Sequence, residues 1–213
     1  MHTKRTRVAV AAALAVTLLT SGCIGGLSSD GSLDAAAVGD YVEQRHAALD
    51  GYSADVTRTV AVGDETSTVS ATVDVERGER QRVTYTDGPR AGETVARSTD
   101  AGPVFDAALG ADGPATPARF GDLAEELVRA NNVTLERVTV VDARRTAVLE
   151  LTPRSNASAA DLTRTVWVDL ERNVPTRVET SWTTADGRSA TVTVAYDDVT
   201  LVENESASAE VPA

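Results

Sequence analysis

The sequence predicts an α+β fold: a strongly curved antiparallel sheet of about nine to eleven strands, with two helices closing its mouth as a lid. Three observations predict it. Apolar and polar residues alternate with a period of two through most of residues 56–202, which gives each strand one apolar and one polar face. Turn signals such as Gly63-Asp64, Gly78 and Asp186-Gly187 break the alternation at hairpin spacing, so the strands form a meander and not βαβ units. Helical spacing occurs at only two places, near residues 33–49 and 118–130. Two helices of modest length cover only part of such a sheet. The sheet must therefore curl on itself, and that shape commonly encloses an apolar cavity.

The elements follow in order. Leu33–Leu49 reads as an amphipathic helix, with Ser32 or Asp34 as cap, a stripe of Val38, Tyr41, Val42, Arg45 and Leu49, and Asp50-Gly51 as its stop. Val56, Arg58, Val60 and Val62 then alternate with Thr57, Thr59 and Ala61; after Gly63-Asp64, Val69, Ala71, Val73 and Val75 alternate with polar partners. Residues 82–86 form the next strand. Residues 87–117, rich in Gly, Pro, Ala and Asp, hold short strands at 93–97 and 103–106. The second helix carries Phe120, Leu123 and Leu127, and Asn131-Asn132 ends it. Further strands fall at 134–141, 147–151, 165–170, 176–182 and 190–202, and the tail 203–213 is polar.

The N-terminus is an export signal. Lys4, Arg5 and Arg7 precede an uncharged run from Val8 to Leu19, followed by Thr20-Ser21-Gly22-Cys23. The run falls short of the roughly 20 residues that span a bilayer. The small-small-Cys ending resembles the lipobox of secreted lipoproteins, with Thr20 where leucine is more usual; Cys23, the only cysteine, would be lipidated and become the mature N-terminus. The chain thus divides into a signal peptide (1–22), the lipidated cysteine and a flexible tether (23–32), one domain (33–202) and a tail (203–213). A single cysteine allows no internal disulfide, so the fold rests on its own core.

Charge excludes several roles. Removing 1–22 leaves 17 basic against 32 acidic side chains, a net charge near −15. Nucleic-acid binding needs a basic footprint that this chain lacks. An anionic membrane would not hold it by charge, so the expected membrane partner is reached through the lipid anchor. Lys4 is the only lysine. A Lys-poor, acidic, Ala/Val/Thr-rich chain resembles proteins of halophilic archaea, whose dispersed carboxylates keep the surface hydrated in concentrated salt; codon bias is the other source of Arg over Lys.

No residue set carries catalysis. His46 is the only histidine after the signal, and there is no Gly-rich phosphate loop, no nucleophile elbow and no zinc-spaced cluster. Acidic pairs such as Glu125-Glu126 and Asp197-Asp198 read as solvated surface. Neither a metal nor a cofactor is expected, and the chain reads as a non-enzyme. Trp167 and Trp182 sit in adjacent strands on opposite parities, with core packing as the default role. Asn132, Asn156 and Asn204 head N-x-S/T sequons, candidate glycosylation sites in an exported chain.

One pattern spans residues 33–202: a helix running into Leu49-Asp50-Gly51-Tyr52-Ser53-Ala54-Asp55-Val56-Thr57, a meander, a second helix, Val148-Leu149-Glu150-Leu151-Thr152-Pro153, and Val166-Trp167-Val168-Asp169-Leu170-Glu171-Arg172-Asn173-Val174-Pro175-Thr176-Arg177-Val178-Glu179. With the lipobox and tether before it, this is similar to archaeal lipoproteins of the outer-membrane lipoprotein-sorting carrier (Lol-type) superfamily. The resemblance implies a half-barrel whose helices close over an apolar cavity that holds acyl chains of lipids or lipoproteins. An anchored chain departs from the soluble carriers of that superfamily. No functional residue except Cys23 carries over.

Two readings stay open. In one, a surface-anchored module binds or carries a lipid, an acyl or isoprenoid chain, or a lipidated protein, with Val60, Val73, Tyr85, Phe120, Leu123, Leu127 and Val192 lining the cavity. In the other, a structural or interaction lipoprotein of the envelope has a packed interior and no ligand. A hydrolase would need convergent polar groups to which nothing here points. The charge makes its own prediction: self-repulsion opposes compaction unless salt screens it, so the fold should lose stability on dilution of salt. Far-UV circular dichroism and melting that stay unchanged from molar salt to tens of millimolar would refute it.

Overall fold

The computed structural model describes residues 33–76, 80–98, 131–154 and 162–203. The expected signal segment, Cys23, the expected second helix with Phe120, Leu123 and Leu127, and the sequons at Asn156 and Asn204 lie outside these residues. Among the described residues, one helix, α1 (Ala35–Ala47), is followed by nine strands: β1 (Leu49–Val62), β2 (Glu65–Glu76), β3 (Arg80–Asp87), β4 (Thr94–Arg97), β5 (Asn131–Val141), β6 (Arg144–Pro153), β7 (Thr163–Asp169), β8 (Val174–Thr183) and β9 (Ser189–Glu203). All pair antiparallel in one open sheet of order β4-β3-β2-β1-β9-β8-β7-β6-β5. The meander is therefore broken once in space. The chain starts at the middle of the sheet, builds outward to β4, reappears at the far edge as β5 and returns to pair β9 with β1.

Asp34 caps α1, its carboxylate accepting from the Ala36 amide at 3.0 Å. The helix ends at Ala47, about half a turn before the sequence-based limit of Leu49. Leu49, Asp50 and Gly51 are the first residues of β1. Gly51 is no helix stop: a Cβ there would sit 2.3 Å from the Val75 carbonyl oxygen, so its hydrogen side chain lets β1 approach β2. The helix is fastened at its other end of sequence by Arg45, whose Nη1 donates to Glu203 at 2.9 Å across to the end of β9. Asn131-Asn132 open β5, three residues ahead of the expected strand start at 134; Asn131 is buried, and its carbonyl accepts from Arg154 Nε at 2.9 Å.

The sheet is bent by register shifts in the β1–β9, β2–β3, β5–β6 and β7–β8 pairs. Each extra residue adds local twist and curl. Pro175 sits at the β7–β8 shift, a place in an interior strand where a missing amide hydrogen is tolerated. The concave face collects the core: Val56, Val60, Val73, Val83, Leu149, Leu151, Val166, Val178, Val192 and Val194 are all buried. α1 packs chiefly against β5 and β8.

The hairpin between β7 and β8 explains the Trp-Val-Asp run of the sequence. Asp169 is 1 % exposed; its Oδ1 accepts from the amides of Glu171 (2.9 Å) and Arg172 (3.2 Å), and its Oδ2 accepts from Arg144 Nη1 at 3.0 Å. Asn173 takes the left-handed conformation at φ 54° that closes the turn. One carboxylate thus ties the turn to the neighbouring β6. Asp169→Ala leaves these donors unmatched and should cost about 2–3 kcal/mol, measured by chemical denaturation; Asp169→Asn, which keeps an acceptor for the amides, should cost less. Equal losses would show that the turn does not depend on the carboxylate.

Candidate functional site

The concave face is built as rows of side chains that run across the strands. One row reads Val69, Arg58, Val194, Val178, Val166, Leu149 and Leu135, from β2 to β5 through β1, β9, β8, β7 and β6. The row beside it reads Val60, Val192, Thr180, Arg164, Leu151 and Val133. Toward the other end of β1, Val56 pairs with Ala71 and Tyr196, and Ala54 with Val73, which in turn pairs with Val83. Small branched side chains dominate because the alternation of Val with Thr or Ala puts one valine on the inner face every second residue.

The described members of the expected cavity lining all fall on this face. Val60 and Val192 are cross-strand partners, 4 % and 3 % exposed; Val73 is 1 % exposed. Tyr85 pairs with Ala71, and its hydroxyl accepts from Arg90 Nη1 at 2.8 Å while the Arg90 guanidinium lies 4.3 Å from the ring centroid. Arg90 also grips Glu93 through two contacts of 2.7 Å, and this hydrogen-bonded pairing holds the exposed Glu93 carboxyl below its ordinary range. Trp182 is buried on the concave side with Ala190 and Val62 as row neighbours. Asn132 is exposed on the edge strand β5. Among the described residues no group of His, Cys, Asp and Glu could hold a metal ion, and no helix is long and apolar enough to cross a membrane.

Polar groups on this apolar face are the features that sequence reasoning missed. Gln81, at the start of β3, is fully buried, and neither its amide nitrogen nor its amide oxygen has a hydrogen-bond partner. Arg164 is buried and donates from Nε to Thr180 Oγ1 at 3.2 Å. Arg58 lies between Val56 and Val60 in strict alternation, partly buried, and burial pushes its guanidinium below the ordinary arginine value. Period-two parity places Arg58 on the inner side, but nothing local shows that it lacks a counter-ion there. Gln81 falls one residue before the expected start of its strand, so parity stopped short of it.

A second concavity lies at the end of the sheet where the β5–β6 hairpin, the β7–β8 turn and the β9 bulge meet. It is an open groove of about 740 Å³ whose lining includes Trp167, Arg177, Arg172, Asp197, Asp198 and Thr200. Trp167, Arg177 and Ala195 are row partners on the parity opposite to the concave core, and the Arg177 guanidinium stacks 4.8 Å from the Trp167 ring centroid. Trp167 is therefore a convex-side residue, half-covered by a cation. The acidic pair Asp197-Asp198 is exposed, with Asp198 in the left-handed region at φ 48° where β9 bulges.

Neither a family model nor a curated protein matches the chain. Solved structures do. A LolA superfamily protein of Nitrosomonas europaea shares 15 % identity over 83 % of this chain and 97 % of its own, at a TM-score of 0.36. The lipoprotein LppX of Mycobacterium tuberculosis shares 14 % identity over 78 % and 94 %, at 0.46. LprF of Mycobacterium bovis shares 14 % over 84 % and 99 %, at 0.42. The described residues themselves form an open curved sheet of nine strands with one helix.

The unmatched amide of Gln81 makes a direct prediction. A buried amide without partners costs about 1–3 kcal/mol, and an apolar side chain of the same shape removes that cost. Gln81→Met should hold or raise the melting temperature of the ligand-free protein. A fall of several degrees would mean that the amide is satisfied in solution.

Proposed function

We propose that this protein is an exported lipoprotein, anchored through Cys23 on the extracellular face of the cell membrane, that binds or carries a lipid-like chain against the concave face of its sheet. The observation that carries the reading is the composition of that face. It offers rows of valine, leucine and alanine across the curved sheet, relieved by only a few polar groups, one of which has no partner. Such a face takes up a hydrocarbon chain at about 0.8 kcal/mol for each CH₂ removed from water. The protein would act without catalysis, as a holder or carrier, with no metal and no cofactor. An isoprenoid chain, an acyl chain or the lipid of a lipidated protein all present the chemistry that this surface accepts.

A second reading, an envelope lipoprotein with a packed interior and no ligand, is favoured by the low exposure of Val60, Val73 and Val192. One experiment separates the two. Small molecules extracted from the protein purified from its native host in high salt are identified by mass spectrometry. Stoichiometric lipid is the expected result. A repeatedly empty extract, together with no uptake of acyl or isoprenoid probes, would leave the packed-interior reading standing.

A further inference from the structure

We propose that Arg58 is the recognition point for an anionic headgroup, so that the ligand of the concave face is an amphiphile bearing a carboxylate or a phosphate. This inference rests on the lipid-binding reading and narrows its ligand. The register fixes the side on which Arg58 stands. β1 pairs with β2 without a break from Gly51 to Val62, and Val56 and Val60, either side of Arg58, are core residues. Its cross-strand partners Val69 and Val194 belong to the same apolar layer. From Val194 the row continues through Val178, Val166 and Leu149, all fully buried. The geometry is a cation near one end of a long aliphatic track, with only Val69 beyond it, which matches the shape of an anionic lipid: one charged end and one extended apolar chain.

Two further observations support it. Arg58 has no carboxylate partner among the described residues, although acids outnumber bases 32 to 20 in the sequence. The arginines seen in ion pairs, Arg45, Arg80, Arg90, Arg144, Arg177 and Arg188, take surface or turn positions; an acidic chain has counter-ions to spare and places none beside Arg58. The buried polar residues of the described core include a second cation, Arg164, one row away, while the buried acid Asp169 serves the β7–β8 turn. Among the described residues, Arg58 is thus a cation on an apolar layer of a strongly negative protein, with no carboxylate paired to it. Desolvation also lowers the Arg58 pKa, the signature of a charge held away from water without compensation. An anion brought by a ligand would supply both the missing charge and acceptors for the guanidinium fork, whose five donors match a carboxylate or phosphate.

The test compares three probes with the same C18 chain: oleate, oleyl phosphate and oleyl alcohol. Each is titrated calorimetrically, below its aggregation concentration, into the full-length protein and into Arg58→Met. The wild type should bind the anionic probes about tenfold or more tightly than the alcohol, the scale of a charge-assisted hydrogen bond in a partly dry site. Oleate against oleyl phosphate then identifies which anion the site prefers. Arg58→Met should bind all three alike, at the affinity of the wild type for the alcohol. It should also melt no lower than the wild type, since an unpaired cation has left an apolar layer, and this melting curve confirms that the variant is folded. Equal wild-type affinity for all three probes would overturn the role of Arg58 and leave lipid binding intact, as would a variant that keeps the preference. Failure of the wild type to bind any probe would overturn the lipid-binding reading and this inference with it.

Discussion

One constraint governs the structure: a single sheet of nine strands must take one of its faces out of water. Every other feature answers to it. Valine at alternate positions sets up the face, the bulges curl it, and α1 covers the portion over β5 and β8. The strand order adds a condition. β1 and β9, at the two ends of the described domain in sequence, lie side by side at the centre, so neither half of the sheet completes the concave layer alone. A slip of one residue between β1 and β9 would turn Val192, Val194 and Tyr196 to the outside and bring Thr191 and Thr193 in. The register is thus fixed by burial across a pair of strands far apart in sequence, which makes the two halves one cooperative unit.

Much of this was legible in the chain. Alternation gave the strands because a half-buried sheet imprints a period of two whatever its neighbours do. The boundaries were harder, and their errors share a cause. Leu49 falls at helical spacing from Val42 and Arg45, and Asp50-Gly51 has the composition of a stop, so local pattern supports a longer helix. The alternative is decided by tertiary contact: β2 presses so close that only glycine fits at 51. Asn131-Asn132 likewise has the composition of a boundary, but its pairing with Pro153 and Thr152 starts β5 three residues before the alternation at 134 shows it. The inner-face positions Val60, Val73, Tyr85 and Val192 were readable from parity alone. The loneliness of Gln81 was not, because the absence of a partner is a property of everything packed around an atom and leaves no trace in local sequence.

The most distinctive sequence motif has a structural explanation on the opposite side of the sheet from the concave apolar core. Asp169 organises the β7–β8 turn, Asn173 supplies its left-handed residue, and Pro175 occupies the register shift that follows. Trp167, two residues earlier, projects outward under Arg177. These residues build a rigid hairpin, and with it a polar-edged groove, without presenting a nucleophile and a base to each other. Motif strength and functional content are separate quantities here: the tightest local pattern secures a turn, while the proposed recognition residues sit inside plain alternation.

Charge and salt connect the two faces. The net charge, −12 over the full sequence and near −15 for residues 23–213, creates a field that repels any anion approaching from a distance, and the same self-repulsion opposes folding. At about 1 M salt the Debye length shrinks to roughly 3 Å, so the long-range field is erased while a contact between a partly buried guanidinium and an anion is screened far less. Concentrated salt therefore acts on both terms in the same direction. It would relieve the expected self-repulsion, and it would let the cation proposed for recognition at position 58 act at short range. In dilute salt the acidic surface would dominate both. If Arg58 selects an anionic ligand as proposed, that selectivity and the expected salt-dependent stability would share one condition, the screening of the protein's own net charge.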